Sequence, residues 1–128
     1  MIRGVGIDTV HVCKVARYME LFGPAFIEQT FTESEVSISQ LSSEPAEYLS
    51  TRFAVKEAVF KAIAHFTKKK GFDFRIVEAL NAPDGYPFVR INEKLQTLLD
   101  EASIDALHVS LTTEGDYVTA IVIAEVLS

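Results

Sequence analysis

The stretch from Ala46 to about Phe66 constrains this chain more than any other. Apolar residues fall at positions 49, 53, 55, 58, 59, 62, 63 and 66, a stripe wide enough to bury most of one side of a helix. Pro45 just before it suits the first helical turn, where a missing N–H costs nothing. A helix this apolar needs a surface to lie on, and five extended runs can supply one: Ile2 to Ile7, Phe72 to Leu80, Tyr86 to Ile91, Leu107 to Thr112 and Tyr117 to Val126. The last two are separated by Thr113-Glu114-Gly115-Asp116 and read as an antiparallel hairpin.

The remaining segments are short helices with identifiable ends. Val12, Val15, Ala16 and Met19 recur at helical spacing until Gly23-Pro24 stops the run, and a further helical piece extends from Pro24 to about Gln29. Thr32-Glu33-Ser34-Glu35 is a capping box opening another helix, because the first hydroxyl and the last carboxylate can satisfy each other's backbone N–H. Asn81-Ala82-Pro83-Asp84-Gly85 reads as a turn, and Asn92 can cap a helix through about Ala102. The order β-α-α-α-β-β-α-β-β lacks regular βαβ alternation. The expected fold is therefore α+β, a mainly antiparallel sheet with one long and several shorter helices on one side. A length of 128 residues predicts a single domain spanning 1–128.

The net charge of −6 disfavours nucleic acid or an anionic membrane as the main partner. The cations are nonetheless concentrated: between Thr51 and Arg75 there are seven Lys and Arg against two carboxylates. The single cysteine, Cys13, excludes an internal disulfide and any Cys-based zinc site, and fits a reducing, cytoplasmic setting. The N-terminal segment is too short and too soon interrupted for a signal peptide. The longest apolar stretch, Val118 to Val126, is broken by Thr119 and Glu125, so no membrane span is expected.

Several chemical motifs fail. Gly4-Val5-Gly6 would need a third glycine where Thr9 stands to be a dinucleotide fingerprint, and no Gly-Lys-Ser/Thr phosphate loop is present. His11 and Cys13 point to different helix faces and lack a third partner. Glu57 and Lys61 are one helical turn apart beside Phe53, Phe60 and Ala64. They form either a helix-surface ion pair worth about 0.3–0.5 kcal/mol or half of a site in which carboxylates hold Mg²⁺ and a lysine neutralises phosphate. Asp8 has the same two readings: an N-cap at a strand-to-helix corner, or a second carboxylate for the cation. Spacing alone leaves both open.

Four marks then recur in order across nearly the whole chain. They are Gly4-Val5-Gly6-Ile7-Asp8; Arg52-Phe53-Ala54-Val55-Lys56-Glu57-Ala58 with Lys61-Ala62; Asp84-Gly85-Tyr86-Pro87; and His108-Val109-Ser110-Leu111-Thr112. With them the chain resembles the holo-[acyl-carrier-protein] synthases, small phosphopantetheinyl transferases. The resemblance implies that family's fold and a Mg²⁺-dependent transfer of 4′-phosphopantetheine from coenzyme A to a serine of an acyl carrier protein, releasing 3′,5′-ADP. It implies metal ligation by Asp8 and Glu57, catalysis by Glu57 and Lys61, and coenzyme A contacts from Arg52, Lys61, Gly85, Pro87 and Ser110. Lys14 and Arg17 are the implied contacts to the acidic carrier, and a homotrimer with the coenzyme at the subunit interface is the implied assembly. The resemblance also puts the nucleophile on the carrier, which accounts for its absence here, and makes Glu57, or a metal-bound water near it, the candidate acceptor of the serine proton.

The chain departs from the family pattern at several positions. His11 stands where a carboxylate is usual, Lys14 for Arg, Ile63-Ala64-His65-Phe66 for a Phe-Gly-Thr-Gly loop, Tyr86 for Lys, and Thr113 for His. Without the two glycines the long helix is expected to run on towards Gly71. Lys68, Lys69 and Lys70 are expected either to neutralise phosphate in place of lost contacts or to complement the helix dipole. These departures keep a second reading open, a family member that binds carrier or nucleotide without transferring.

Overall fold

Two glycines in the first strand determine how closely the long helix can approach the sheet. A computed structural model describes residues 1–68, 71 and 73–127. Its elements are β1 (Ile2–His11), α1 (Val12–Thr30), α2 (Glu33–Gln40), α3 (Pro45–Ile63), β2 (Glu78–Asn81), β3 (Pro87–Arg90), α4 (Glu93–Ala102), β4 (Ala106–Glu114) and β5 (Tyr117–Glu125). A Cβ on Gly4 would lie 2.2 Å from the Ala62 carbonyl oxygen, and one on Gly6 only 1.8 Å from that of Ala58. Only glycine lets α3 rest on the β1 backbone at this distance.

The strands form two antiparallel sheets, one of three strands in the order β1-β5-β4 and a β2-β3 pair. Alternation along the strands gives the larger sheet two unlike faces. On the inner face Val10, Val109, Val118, Ala120, Val122 and Ala124 are buried with Ala54, Val55, Ala58, Val59 and Ala62 of α3. On the outer face Val5, Ile7 and Tyr117 are each more than half exposed.

The caps behave as their residues require. Thr32 and Glu35 close the capping box of α2, the Asn92 side chain accepts from Leu95 N at 2.8 Å to start α4, and Pro45 occupies the first turn of α3. At Gly23 the backbone leaves helical geometry (φ 52°, ψ −133°), so α1 is two helical pieces joined at the expected Gly-Pro break.

Three expectations need correction. The first strand continues four residues past Ile7, so Asp8 is paired with Ala120 inside the sheet and is not a helix N-cap; His11 holds that position without a side-chain bond. The long helix does not run on towards Gly71. It gives way to a 3₁₀ turn at Ala64–Phe66 and Thr67 is extended, with the Phe66 ring turned back under the Arg3 guanidinium at 4.2 Å. The run from Phe72 to Leu80 is a strand only from Glu78. Asp73 accepts from the backbone N–H of Arg75 and starts a 3₁₀ turn at Phe74–Ile76, a local bond that competes with extended pairing. Lys69, Lys70 and Phe72 lie outside the described residues.

Candidate active site

The inward positions of β1 run Gly4, Gly6, Asp8, Val10. Because Gly4 and Gly6 seat Ala62 and Ala58, the next inward side chain, Asp8, meets the face of α3 that carries Glu57 and Lys61. Lys61 Nζ donates to Asp8 Oδ1 at 3.0 Å and to the Ile7 carbonyl at 3.1 Å. Asp8 is mostly covered while Lys61 is half exposed, so the lysine can exchange this partner for a ligand.

Asp8, Glu57, Lys14, Tyr18, Phe53 and Val10 line one cavity of about 300 Å³. Burial first, and then the negative charge of Asp8, push the Glu57 carboxyl above the usual carboxylate range, while Lys61 and Lys14 pull the other way. Two carboxylates repel each other across a partly dry cavity, an arrangement that a divalent cation relieves. Both donors are hard oxygens, and two carboxylates leave coordination positions for water and phosphate, as Mg²⁺ prefers. Among the described residues no group of three or more His, Cys, Asp or Glu could hold a metal.

The structure thus brings Asp8, Glu57, Lys61 and Lys14 together. Arg17 lies exposed on α1 beyond the cavity. Arg52 does not join the cluster: it is 2% exposed, donates to the Ala79 carbonyl at 2.9 Å and stacks over Tyr48 at 4.6 Å. Gly85 (φ 92°) and Pro87 sit in the turn and first residue of the β2-β3 pair, outside the cavity lining. Ser110 is on β4 opposite Ile121, which pairs with Ile7, so all three share the outer face while Asp8 points inward. His11, at the end of β1, borders the cavity, its ring stacked on Tyr117 at 4.7 Å with Nε2 2.5 Å from Asp116 Oδ2.

Sequence reasoning missed the buried pair on the other flank of α3. Lys56 Nζ is 2.7 Å from Glu35 Oε1, and both side chains are fully buried. Burial holds the Lys56 ammonium below the usual lysine range, with Glu35 acting in the opposite sense. The one available signal was Arg52 and Lys56, a helical turn apart in a segment whose other residues are apolar.

Known proteins resemble this chain over nearly its whole length. Residues 4–122 match the family described as the 4′-phosphopantetheinyl transferase superfamily. The chain is 37% identical to the holo-[acyl-carrier-protein] synthase of Azoarcus sp., with 98% of each sequence covered. It is 36% identical to that of Thermodesulfovibrio yellowstonii, covering 96% of this chain and 98% of the relative. The crystal structure of the Neisseria meningitidis synthase superposes with a TM-score of 0.88 at 33% identity, over 98% of this chain and 99% of that one. A complex of the Chronobacterium ammoniagenes synthase with coenzyme A gives 0.82 at 29% identity, over 98% of each chain.

Proposed function

The chain belongs to the 4′-phosphopantetheinyl transferase superfamily, and from that premise we propose how its residues carry out the family's transfer. It moves 4′-phosphopantetheine from coenzyme A to a serine hydroxyl of an acyl carrier protein. The serine oxygen forms a bond to the pantetheine-bearing phosphorus of the coenzyme, the pyrophosphate P–O bond breaks, and 3′,5′-ADP leaves. A transfer of this kind asks mainly for in-line positioning and charge neutralisation.

Asp8 and Glu57 would hold Mg²⁺, which when bound supplies positive charge to the pyrophosphate. Lys61 swings from Asp8 to the coenzyme's phosphates. Glu57, whose carboxyl is already raised by burial, accepts the serine proton at a carboxylate oxygen. Lys14 and Arg17 on α1 meet the acidic carrier, and Lys14 also borders the cavity, so docking and chemistry share an edge. The observation that carries this reading is the single cavity facing Asp8 and Glu57, with Lys61 bonded to Asp8.

The assembly we propose is a homotrimer with the coenzyme between subunits. Its support is the outer sheet face: Val5 and Ile7 are 53% and 56% exposed there, an apolar surface that a second copy would cover. Ser110 lies on that face too, where the cavity of a neighbouring subunit would meet it. No described helix is long and apolar enough to cross a membrane, and an exposed, unpaired Cys13 suits the cytoplasm we propose as the setting.

Incubation with coenzyme A, Mg²⁺ and an apo carrier protein is expected to add the phosphopantetheine mass to the carrier. Asp8→Ala and Glu57→Ala should each slow the transfer by about 10²-fold or more. Wild-type rates in either variant would refute the assignment of the carboxylates.

A further inference from the structure

Helix α3 presents three faces with different tasks. Ala58 and Ala62 lie against Gly6 and Gly4 of β1; Glu57 and Lys61 face Asp8; Arg52 and Lys56 point to the opposite flank, towards the 74–79 segment. The glycine and alanine contact allows close approach, and Val55 and Val59 are buried beside it against the sheet, contacts that are apolar and non-directional. A directional anchor adds precision to the rotation they set, because successive residues are about 100° apart around a helix and a modest roll would turn Glu57 away from Asp8.

The opposite flank has such anchors. Lys56 Nζ meets the Glu35 carboxylate at 2.7 Å and donates to the carbonyls of Phe74, at 2.9 Å, and Val77. Glu35 is itself fixed, accepting from Thr32 N at 2.9 Å and Ala79 N at 2.8 Å. Arg52, one turn earlier, reaches the Ala79 carbonyl. Every buried side-chain polar atom among the described residues is satisfied. A buried ion pair is an inefficient way to stabilise a fold, since apolar residues of similar volume often do as well or better. What it supplies is direction: three acceptors around one ammonium restrict the rotation of the helix that carries it.

We propose that Lys56, held by Glu35 and the carbonyls of Phe74 and Val77, is a positioning residue that restrains the rotation of α3 and so aims Glu57 at Asp8. The inference rests on the reading of Asp8 and Glu57 as the cation's carboxylates. Lys56 touches no substrate. It acts through the neighbouring residue in the chain, which gives the lysine of the Lys56-Glu57-Ala58 motif a role distinct from that of Lys61.

The test is Mn²⁺ binding to the enzyme without coenzyme A, titrated calorimetrically and normalised to the folded fraction. The variants are Lys56→Met and the double variant Glu35→Gln with Lys56→Met, in which the single carbonyl oxygen of Gln can keep one of the two backbone bonds, to Thr32 N or to Ala79 N. Folded variants should bind Mn²⁺ roughly ten- to a hundredfold more weakly. In turnover, kcat should fall by a similar factor while the KM for coenzyme A stays within about twofold. A purely structural role would lower the folded fraction and leave the Mn²⁺ Kd per folded molecule unchanged, and that result overturns the proposal. Should neither variant fold, Glu35→Gln alone decides, since Lys56 keeps its two carbonyl partners. A threefold or greater weakening supports the coupling, and wild-type affinity overturns it. Asp8→Asn and Glu57→Gln serve as controls: wild-type Mn²⁺ binding in both would place the failure in the metal reading and not in the positioning.

Discussion

Gly6 decides more of the site than any charged residue does. A methyl group there would press on the Ala58 carbonyl oxygen at 1.8 Å, and the obstacle is backbone, which cannot swing aside. Gly6→Ala should therefore lower stability by roughly 1–3 kcal/mol through overpacking and should cut transfer further than unfolding explains, because α3 must back away from Asp8. Thermal unfolding and the kcat of the folded fraction check the two effects separately, and a variant with wild-type kcat would show that the close approach is dispensable. This role was only half legible in the sequence. Gly4-Val5-Gly6 could be placed in a strand and excluded as a nucleotide fingerprint, but its purpose depends on Ala58 and Ala62, more than fifty residues away along the chain. Glu35 and Lys56 were hidden for the same reason: burial and pairing across the chain leave no local periodicity.

The elements best anticipated were those whose ends are written in short-range chemistry. Pro45, the Thr32–Glu35 box, Asn92 and the Gly115 turn all act within a few residues, and each marks an observed boundary. The misjudged boundaries were settled by tertiary contacts or by a single competing bond. β1 extends to His11 because β5 continues to pair with it as far as Tyr117. The segment before β2 turns because Asp73 bonds the Arg75 backbone N–H at 2.9 Å and its guanidinium at 2.8 Å. Those bonds to Arg75 hold the Asp73 carboxyl below its ordinary value of 3.8, so the ionised form is favoured in the folded state. Such a group adds stability above the unfolded-state pKa and loses it as pH falls through the folded-state value. Wild type should therefore exceed Asp73→Asn in stability near neutral pH, with the gap closing as pH falls below about 4. Denaturant midpoints measured across that range would show the convergence, and a gap independent of pH would remove the carboxylate from the account.

At the scale of the whole molecule, the two faces of the larger sheet divide the labour. The inner face seats α3 and with it the carboxylate cavity, whereas Ser110 and the exposed Val5 and Ile7 occupy the outer one. If each coenzyme site draws Asp8 from one subunit and Ser110 from the next, two differently damaged subunits can repair each other. In the proposed trimer Asp8→Ala would remove a cation ligand and Ser110→Glu would set a negative charge against the coenzyme's phosphates, so trimers of either variant alone should be nearly inactive. Co-expressed and purified as mixed trimers, they should recover up to about a third of the wild-type sites, because in a ring of three that holds both variants one of the three interfaces pairs an intact Asp8 with an intact Ser110. Transfer to the carrier, measured on trimers carrying both affinity tags, reads this directly. Activity no higher than the sum of the two parents would mean that Asp8 and Ser110 do not meet across subunits, and the outer face would then need another reason for its exposed valine and isoleucine.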